Sequence, residues 1–201
     1  MQFDPALNDR RSVYKLLTGA VIPRPIGWIS TLSEDNIPNL APFSFFNVVG
    51  DDPPHVMFSA ARSSGANKDT LNNVLATKQF VVNMVTEDIV DQMNKTSETV
   101  AADVNEFELA GLTALESIKV KPFRVGESPI TMECELVHHY ELENHQYGGA
   151  VVVIGKIVMF HIDDEVLLEG FGIDMDRYKP ISRLAGANYS RMGEIFTVKR
   201  A

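Results

Sequence analysis

Hydrophobic residues in this chain come in short runs separated by turn-forming residues, a pattern typical of β-rich proteins. The runs are rich in β-branched and aromatic side chains, which favour strands. They predict the strands Ile26–Leu32, Asn39–Asn47, His55–Ala60, Gln79–Val85, Ile130–Leu142 and Ala150–Ile162, with a closing strand at Ile195–Val198. The two longest flank the turn-like segment 143–149 (ENHQYGG) and therefore predict a hairpin.

Helical patterns are fewer and shorter. Apolar residues recur at helical spacing in Asn67–Lys78 and Glu87–Lys95. A short helical turn is predicted within Arg177–Arg191, where Pro180 and Gly186 make the segment irregular. Many strands with few short helices indicate a mainly β fold, and a barrel rather than a doubly wound sheet. The sequence also lacks the glycine-rich turns of Rossmann folds and P-loop nucleotide sites.

Composition places the chain among ordinary globular proteins. Of its 201 residues 45% are hydrophobic and 22% are charged, and no internal repeat or flexible linker divides it. We therefore expect one domain over residues 1–201. A single cysteine, Cys134, argues against a disulfide-stapled secreted scaffold. No apolar run approaches a membrane span and the first residues lack a signal-peptide pattern, so we expect a soluble, cytoplasmic protein.

The net charge of −9 limits the kinds of partner that we expect. Nucleic-acid binding needs a basic footprint, so we expect no nucleic-acid partner. A small anionic ligand would instead require one locally basic pocket. Three segments carry the residue types from which such a site could be built.

The first segment is Val21–Thr31. Arg24 lies between two prolines, which favour an extended backbone, and Gly27 allows close approach of a ligand or a neighbouring strand. Trp28 is the only tryptophan, and its indole would suit stacking on a planar ligand. The alternative is a core tryptophan beside an exposed arginine.

The second segment, Asn39–Asn47 (NLAPFSFFN), is rich in aromatic residues. Strand alternation predicts Phe43, Phe45 and Asn47 on one face, with Ser44 and Phe46 on the other. Pro42 indicates an edge or a bulge, where free backbone groups could bind the edge of a heteroaromatic ring. The alternative is an aromatic core strand with two satisfied asparagines.

The third segment, Ser59–Thr70, joins a predicted strand to a predicted helix. Hydroxyl groups, a glycine, Arg62 and Lys68 precede the helical pattern. Free N–H groups at a helix start, together with cations, form an anion site, and an arginine can hold a phosphate through two donors. The alternative is a solvated loop with Asn67 or Thr70 as the helix cap.

Other chemistry has little support in the sequence. Adjacent histidines such as His138 and His139 point to opposite faces of a strand, and no Cys/His cluster has zinc spacing, so we predict no metal. His145 and Tyr147 lie in the predicted turn, where a ligand could reach them. No nucleophile elbow or triad points to a hydrolase.

The ordered set of motifs resembles the flavin reductase-like family of FMN-binding split barrels. That family includes flavoredoxin-like proteins and reductase components of two-component monooxygenases. The segments that carry the resemblance are PRPIGWIST (23–31), NLAPFSFFN (39–47), DPPHVMFS (52–59), NKDTLNN (67–73), FVVN (80–83) and RLAGANYSRMGEIFTVKR (183–200). They span nearly the whole chain.

The resemblance implies a Greek-key split β-barrel that forms a homodimer, with FMN near the subunit interface. The flavin ring would lie against the Trp28–Thr31 strand and the Asn39–Asn47 segment, and the phosphate would bind Arg62, Lys68 and Thr70. The FMN-binding residues implied in this way are Trp28, Ser30, Thr31, Ala41, Ser44, Phe45, Asn47, Ser59, Arg62, Lys68, Asp69 and Thr70.

Family likeness further implies transfer of a hydride from NADH or NADPH to flavin, with a monooxygenase or electron-transfer protein as a partner. The flavin carries that chemistry, so no catalytic side chain is required. One motif departs from the family pattern: the Gly-Asp-His-type turn of nicotinamide-using reductases is replaced by His145–Ala150 (HQYGGA). The alternative is therefore a flavoredoxin-like FMN electron carrier without its own nicotinamide site, and His145 and Tyr147 are the candidate nicotinamide-side residues.

Overall fold

The computed structural model describes residues 1–62, 66–142 and 148–199, and these form a mainly β protein. Its strands are β1 (Gly27–Leu32), β2 (Pro38–Phe43), β3 (Phe46–Asp51), β4 (Pro54–Ala61), β5 (Gln79–Met84), β6 (Ala114–Leu115), β7 (Arg124–Val125), β8 (Ile130–Glu141), β9 (Ala150–Ile162), β10 (Ile181–Arg183) and β11 (Tyr189–Arg191). Its α-helices are α1 (Arg10–Ala20), α2 (Asp69–Thr77), α3 (Val90–Lys95), α4 (Glu106–Ala110) and α5 (Met175–Tyr178). Single 3-10 turns cover Pro5–Leu7, Glu87–Ile89 and Asp164–Val166.

The main sheet closes into a barrel at the two-residue connection between β2 and β3, which we call the β2–β3 step. Its strand order is β2-β1-β5-β8-β9-β4-β3, and neighbours are antiparallel. The two edge strands, β2 and β3, are consecutive in the chain and are joined only by Ser44 and Phe45. Across this step the rings of Phe43 and Phe58 lie 4.9 Å apart, and the Ser59 N–H donates to the Phe45 carbonyl at 2.8 Å. The sheet therefore curls into a barrel whose seam is the β2–β3 junction.

The barrel interior holds the larger apolar core, and α2 covers it. Leu71 and Val74 of α2 pack among buried residues of the strands, including Phe58 and Phe80. A Cβ at Gly155 would lie 2.3 Å from the tip of the Phe80 ring, so only glycine leaves room for that ring. The hairpin of β8 and β9 therefore passes directly against the core.

A second core lies on the other side of β1 and β2. Trp28 and Leu40 pack there against Met93 of α3 and Phe107 of α4. The indole N–H of Trp28 donates to the Thr96 hydroxyl at 2.8 Å. This core attaches α3 and α4 to the barrel wall.

A buried carboxylate fixes the segment between β6 and β7. Glu133 on β8 is fully buried and accepts backbone N–H groups from Ile118, Lys119 and Val120 at 2.7, 2.6 and 3.0 Å. His161 Nε2 of β9 lies 2.6 Å from the same carboxylate. Burial by itself raises the pKa of Glu133, but these hydrogen bonds outweigh it and hold the pKa below its ordinary value.

The strand predictions are mostly confirmed, with two corrections. Five predicted strands lie within a residue or two of β1, β4, β5, β8 and β9, and the last two pair as predicted. The Asn39–Asn47 strand is instead two strands broken at Ser44–Phe45, because the chain turns there from one sheet edge to the other. The break places Phe43 and Phe46 both inside, which contradicts the predicted alternation. The predicted closing strand Ile195–Val198 is also wrong, since this segment is exposed and pairs with no described strand.

The helix predictions are less complete. Asn67–Lys78 contains α2, and Glu87–Lys95 divides into a 3-10 turn followed by α3. The turn predicted within Arg177–Arg191 begins earlier, as α5, and the rest of that segment forms the small β10–β11 sheet. The sequence patterns did not predict α1 and α4.

Candidate functional site

A partly exposed face of mixed apolar and polar residues runs across β3, β4, β9 and β8 on the outside of the barrel. Directly paired residues of antiparallel strands point to the same face. One such row is Asn47, Met57, Ile154 and His138, and the next is Ser59, Val152 and Tyr140. We call these two rows the outer face. Two of the predicted site residues, Asn47 and Ser59, belong to it.

The β2–β3 step lies beside this face and is supported from below by Arg24. The Arg24 guanidinium is buried and donates to the carbonyls of Thr18, Val21 and Leu184 at 2.7, 2.7 and 3.0 Å. Its Nε contacts the Ser44 hydroxyl at 3.5 Å, and its Cζ lies 5.9 Å from the centre of the Phe45 ring. Phe45 itself is 38% exposed, so one aromatic side chain of the step faces solvent.

Arg62, which follows β4, is a buried cation with one free donor. Its Nε donates to Asn67 at 3.0 Å and its Nη2 pairs with Glu141 at 2.8 Å. Its Nη1 is buried and has no hydrogen-bond partner among the described residues. A buried donor without a partner is costly, and such a group marks a place where a missing acceptor would bind.

The start of α2 lies five to eight residues further along the chain and is also open. Lys68 is the N-cap residue, and in the described part of the chain its side chain makes no capping hydrogen bond. The Lys68 ammonium is exposed and lies 5.8 Å from the centre of the Phe43 ring. Helix N–H groups, Lys68 and Arg62 thus give this end of the barrel a concentration of donors.

A buried polar network connects α2 to α4. The Asn39 carbonyl oxygen accepts from the hydroxyls of Thr31 and Thr70 at 3.2 and 2.8 Å. Its amide donates to Glu106 at 2.9 Å, and Glu106 also accepts the Leu40 N–H at 3.1 Å. Burial raises the pKa of the Glu106 carboxyl above its ordinary value. The network fixes Thr70, and with it the first turn of α2.

Comparison with known proteins decides the family. The family model described as "Flavin reductase like domain" matches residues 18–182. The chain belongs to the flavin reductase-like family. An uncharacterized protein of Aquifex aeolicus is 43% identical to it over 190 residues, which cover 94% of each chain.

Two solved structures show the same fold. Nitrilotriacetate monooxygenase component B from Bacillus cereus superimposes with a TM-score of 0.95 at 35% identity, covering 98% of both chains. A Shewanella frigidimarina protein, described as a flavin reductase with a split barrel domain, gives a TM-score of 0.85 at 22% identity over both whole chains. The predicted split barrel is therefore confirmed.

The structure places the predicted residues of this flavin reductase-like protein in three groups. Ser44, Phe45, Asn47 and Ser59 lie at the seam and on the outer face, and half-buried Ala41 lies nearby on β2. Arg62 and Lys68 lie between β4 and α2, and Asp69 and Thr70 are the first residues of α2. The third group comprises Trp28, Ser30 and Thr31, whose side chains are fully buried in β1.

Trp28 is a core residue in this structure. Its ring is enclosed by the second core and its only polar atom is bound to Thr96, so the ring presents no face to a ligand. Arg24, which the same alternative places on the surface, is instead 7% exposed. His145 and Tyr147 lie outside the described residues, and the prediction about them stays a prediction.

The sequence analysis did not predict the role of Glu106 or the burial of the Arg24 side chain. Glu106 contacts Asn39 and Leu40 from a helix more than 60 residues away, and only the preference of buried carboxylates for partners could have pointed to it. Among the described residues no group of three or more His, Cys, Asp or Glu side chains is placed to hold a metal. None of the helices described is long and apolar enough to cross a bilayer.

Proposed function

We propose that this protein binds FMN and reduces it with NADH or NADPH, for delivery to a monooxygenase partner. The observation that carries the proposal is the buried Nη1 of Arg62, which has no hydrogen-bond partner among the described residues and lies beside the open start of α2, within a flavin reductase-like fold. A phosphate monoester has the oxygen acceptors that these donors lack. FMN carries such a phosphate, whereas riboflavin does not.

The flavin ring would lie at the barrel seam. Phe45 offers an exposed aromatic ring there, and Ser44, Asn47 and Ser59 offer polar groups to a ring edge that has both donors and acceptors. When bound, flavin supplies the hydride-accepting chemistry. The residues of this chain bind and orient it and exclude water from one of its faces.

A homodimer would complete the site. Tyr140 on the outer face is 61% exposed, and Met57, Ile154 and Val152 of the same two rows are half-buried. Apolar side chains that share one partly exposed sheet face are typical of an interface. A second copy packed on it would cover the seam where we place the flavin ring.

The monooxygenase partner is proposed from a relative. The Bacillus cereus structure is component B of nitrilotriacetate monooxygenase, and it covers nearly the whole of this chain. A component B implies a second component that uses its product. We propose that this protein likewise supplies reduced flavin to a separate protein, and that it acts in the cytoplasm.

Two measurements test the proposal. Titration of the purified protein with FMN and with riboflavin, followed by flavin fluorescence, is expected to show tighter binding of FMN. Steady-state oxidation of NADH and NADPH in the presence of FMN is expected to show turnover with at least one nucleotide. Flavin binding without turnover would favour the electron-carrier alternative, and failure to bind flavin would contradict both functions.

A further inference from the structure

Glu106, the first residue of α4, is a buried carboxyl group to which the proposed flavin chemistry gives no role. It is 6% exposed, and its two oxygens accept the Asn39 amide at 2.9 Å and the Leu40 N–H at 3.1 Å. Both donors are neutral, and in the described part of the chain Glu106 forms no ion pair. A carboxylate removed from water without a cation is costly, so this group can take up a proton more readily than an exposed one.

A comparison with Glu133 shows how little stabilises a charge on Glu106. Glu133 accepts three backbone N–H groups and lies beside His161, and these contacts hold its pKa below the ordinary value. Burial raises the pKa of Glu106 instead, and its fewer hydrogen bonds do not outweigh the burial. The same fold thus favours the anion at one buried carboxyl group and makes the other easier to protonate.

Of the charged side chains that the structure describes, the one that acts on Glu106 lies at the proposed phosphate site. The helix α4 packs against β2, which has no charged residue, and against α3, whose Asp91 and Lys95 do not shift the pKa of Glu106. On α4 itself Glu108 is exposed. Asp69, in the first turn of α2, does act on Glu106, and its negative charge raises the pKa of that carboxyl further. Negative charge at the start of α2 is therefore felt at Glu106.

Hydrogen bonds also connect Glu106 to the start of α2. Asn39 donates its amide to Glu106, and its oxygen accepts the Thr70 hydroxyl at 2.8 Å and the Thr31 hydroxyl at 3.2 Å. Thr70 is the second residue of α2, the helix whose first N–H groups we assign to the FMN phosphate. One side chain, Asn39, thus links the buried carboxyl group to the turn that would hold the phosphate.

The charge of Glu106 determines which way the Asn39 amide faces. An ionised carboxylate can only accept, so the Asn39 NH₂ group faces it and the Asn39 oxygen faces the two hydroxyls. A protonated Glu106 can donate its O–H to the Asn39 oxygen once the amide has turned over, while its other oxygen still accepts the Leu40 N–H. The Asn39 NH₂ group then donates to the hydroxyl oxygens, which frees the Thr70 proton for an acceptor. The network therefore has one arrangement for each charge of Glu106.

We propose that Glu106 is a positioning residue for FMN, and that it takes up a proton when the FMN phosphate binds at the start of α2. The inference rests on the proposed function, because it assumes that the phosphate binds there. A phosphate monoester carries about 1.5–2 negative charges at neutral pH, and a like charge favours the neutral form of a buried carboxyl group. The proton comes from solvent and binds to a carboxylate oxygen of Glu106, and no other covalent bond changes.

The test compares FMN with riboflavin, which lacks the phosphate, from acid to mildly alkaline pH. Glu106→Gln keeps the size of the side chain and stays neutral, and Glu108→Gln makes the same charge change at an exposed position of the same helix. As the pH rises, we expect the wild type to lose FMN affinity relative to Glu106→Gln by up to about tenfold per pH unit, because it must take up a proton. Titration of the phosphate itself is common to all variants and cancels. Riboflavin affinity should show no such divergence.

Calorimetry in buffers of different ionisation enthalpy measures the proton uptake directly. We expect more protons to be taken up per FMN by the wild type than by Glu106→Gln, and Glu108→Gln to match the wild type. A purely structural role would instead make Glu106→Gln bind FMN and riboflavin equally weakly at every pH. That result, or equal proton uptake in the wild type and Glu106→Gln, would overturn the inference and leave the proposed flavin binding standing.

Two further outcomes are also decisive. A wild type that does not bind FMN would contradict the proposed function and this inference with it. If Glu106→Gln does not fold, infrared difference spectra of the wild type decide. FMN, but not riboflavin, is expected to produce the C=O band of a newly protonated carboxyl group, and the absence of this band would overturn the inference.

Discussion

At the residue scale, Arg62 gives the most direct indication of a bound ligand, because it has a buried donor without a described acceptor. Two of its nitrogens are bound by Asn67 and Glu141, and the third is buried without a described partner. A folded protein tolerates few such donors. The cost is understandable if FMN phosphate supplies the acceptor when it binds.

We therefore expect Arg62→Gln to weaken FMN binding by about 1.5–3 kcal/mol, the usual contribution of a charged hydrogen bond. Lys68→Gln is expected to weaken it in the same direction, and because Lys68 is exposed this variant should fold normally. Flavin fluorescence titration measures both effects. Riboflavin binding is the control, since it lacks the phosphate and should not respond. Unchanged FMN affinity in both variants would place the phosphate elsewhere.

Single residues also show where sequence reasoning ends. The proposed anion site could be inferred from the sequence because Arg62, Lys68 and the helix start are close along the chain. The burial of Trp28 was one of two predicted alternatives, but its partner could not be predicted, because Thr96 lies 68 residues away. The alternation of Phe43 and Phe45 failed for a similar reason. Pro42 indicates an edge or a bulge in this segment, but the local pattern does not show that the chain passes from one sheet edge to the other at Ser44 and Phe45.

At the element scale, the segment between β6 and β7 depends on one carboxylate. Three consecutive N–H groups and His161 converge on Glu133, which is fully buried. We expect Glu133→Gln to lower the free energy of unfolding by about 2–4 kcal/mol, since the amide cannot accept all of these bonds. Urea unfolding measures the change. The exposed neighbour Glu135 provides the control, and Glu135→Gln should have little effect.

The difference in free energy of unfolding between the wild type and Glu133→Gln should depend on pH in a definite direction. The pKa of Glu133 is lowered in the folded protein from an ordinary value of 4.5. Its stabilising contribution is therefore complete above pH 4.5 and is lost as the pH falls through the folded-state pKa. The wild type and Glu133→Gln should differ in stability by a constant amount near neutral pH and converge in acid. A difference that grows on acidification would contradict this role.

Long elements were more predictable than short ones. The β8–β9 hairpin was visible because its strands have long β-forming runs and its turn is rich in polar residues and glycine. The helix α1 was missed although Asp9 caps it, accepting the Ser12 N–H, and although Val13, Leu16 and Leu17 recur at helical spacing. The helix α4 has only five residues, and its burial depends on contacts with β2 and α3. Tertiary packing, rather than local preference, creates such helices.

At the scale of the whole molecule, the outer face predicts self-association. Tyr140→Glu places a charge at the β8 end of that face without disturbing the core, because the side chain is exposed. We expect the wild type to have the mass of a dimer in light scattering, and Tyr140→Glu to shift it toward the monomer. Phe171→Glu removes a still more exposed aromatic residue from the loop before α5 and should leave the dimer intact. A monomeric wild type would contradict the interface.

The overall architecture could be predicted further than the site. A mainly β barrel follows from the strand pattern, and the order of motifs identifies the family before any geometry is known. The closure of the sheet at Ser44–Phe45 and the burial of Arg24 could not be predicted in the same way. Both depend on which distant segments meet, as when Arg24 binds the carbonyls of Thr18 and Leu184.

The burial of Cys134 has a practical consequence. It is the only thiol in the chain, it lies between β5 and β9 inside the barrel, and burial raises its pKa far above the usual range, with Glu133 adding to the effect. Because only the thiolate reacts, a thiol reagent must wait until the sheet separates at this strand. The rate at which Cys134 is labelled thus reports how often the barrel opens at this strand. Opening can therefore be measured on the natural sequence, without introducing a probe.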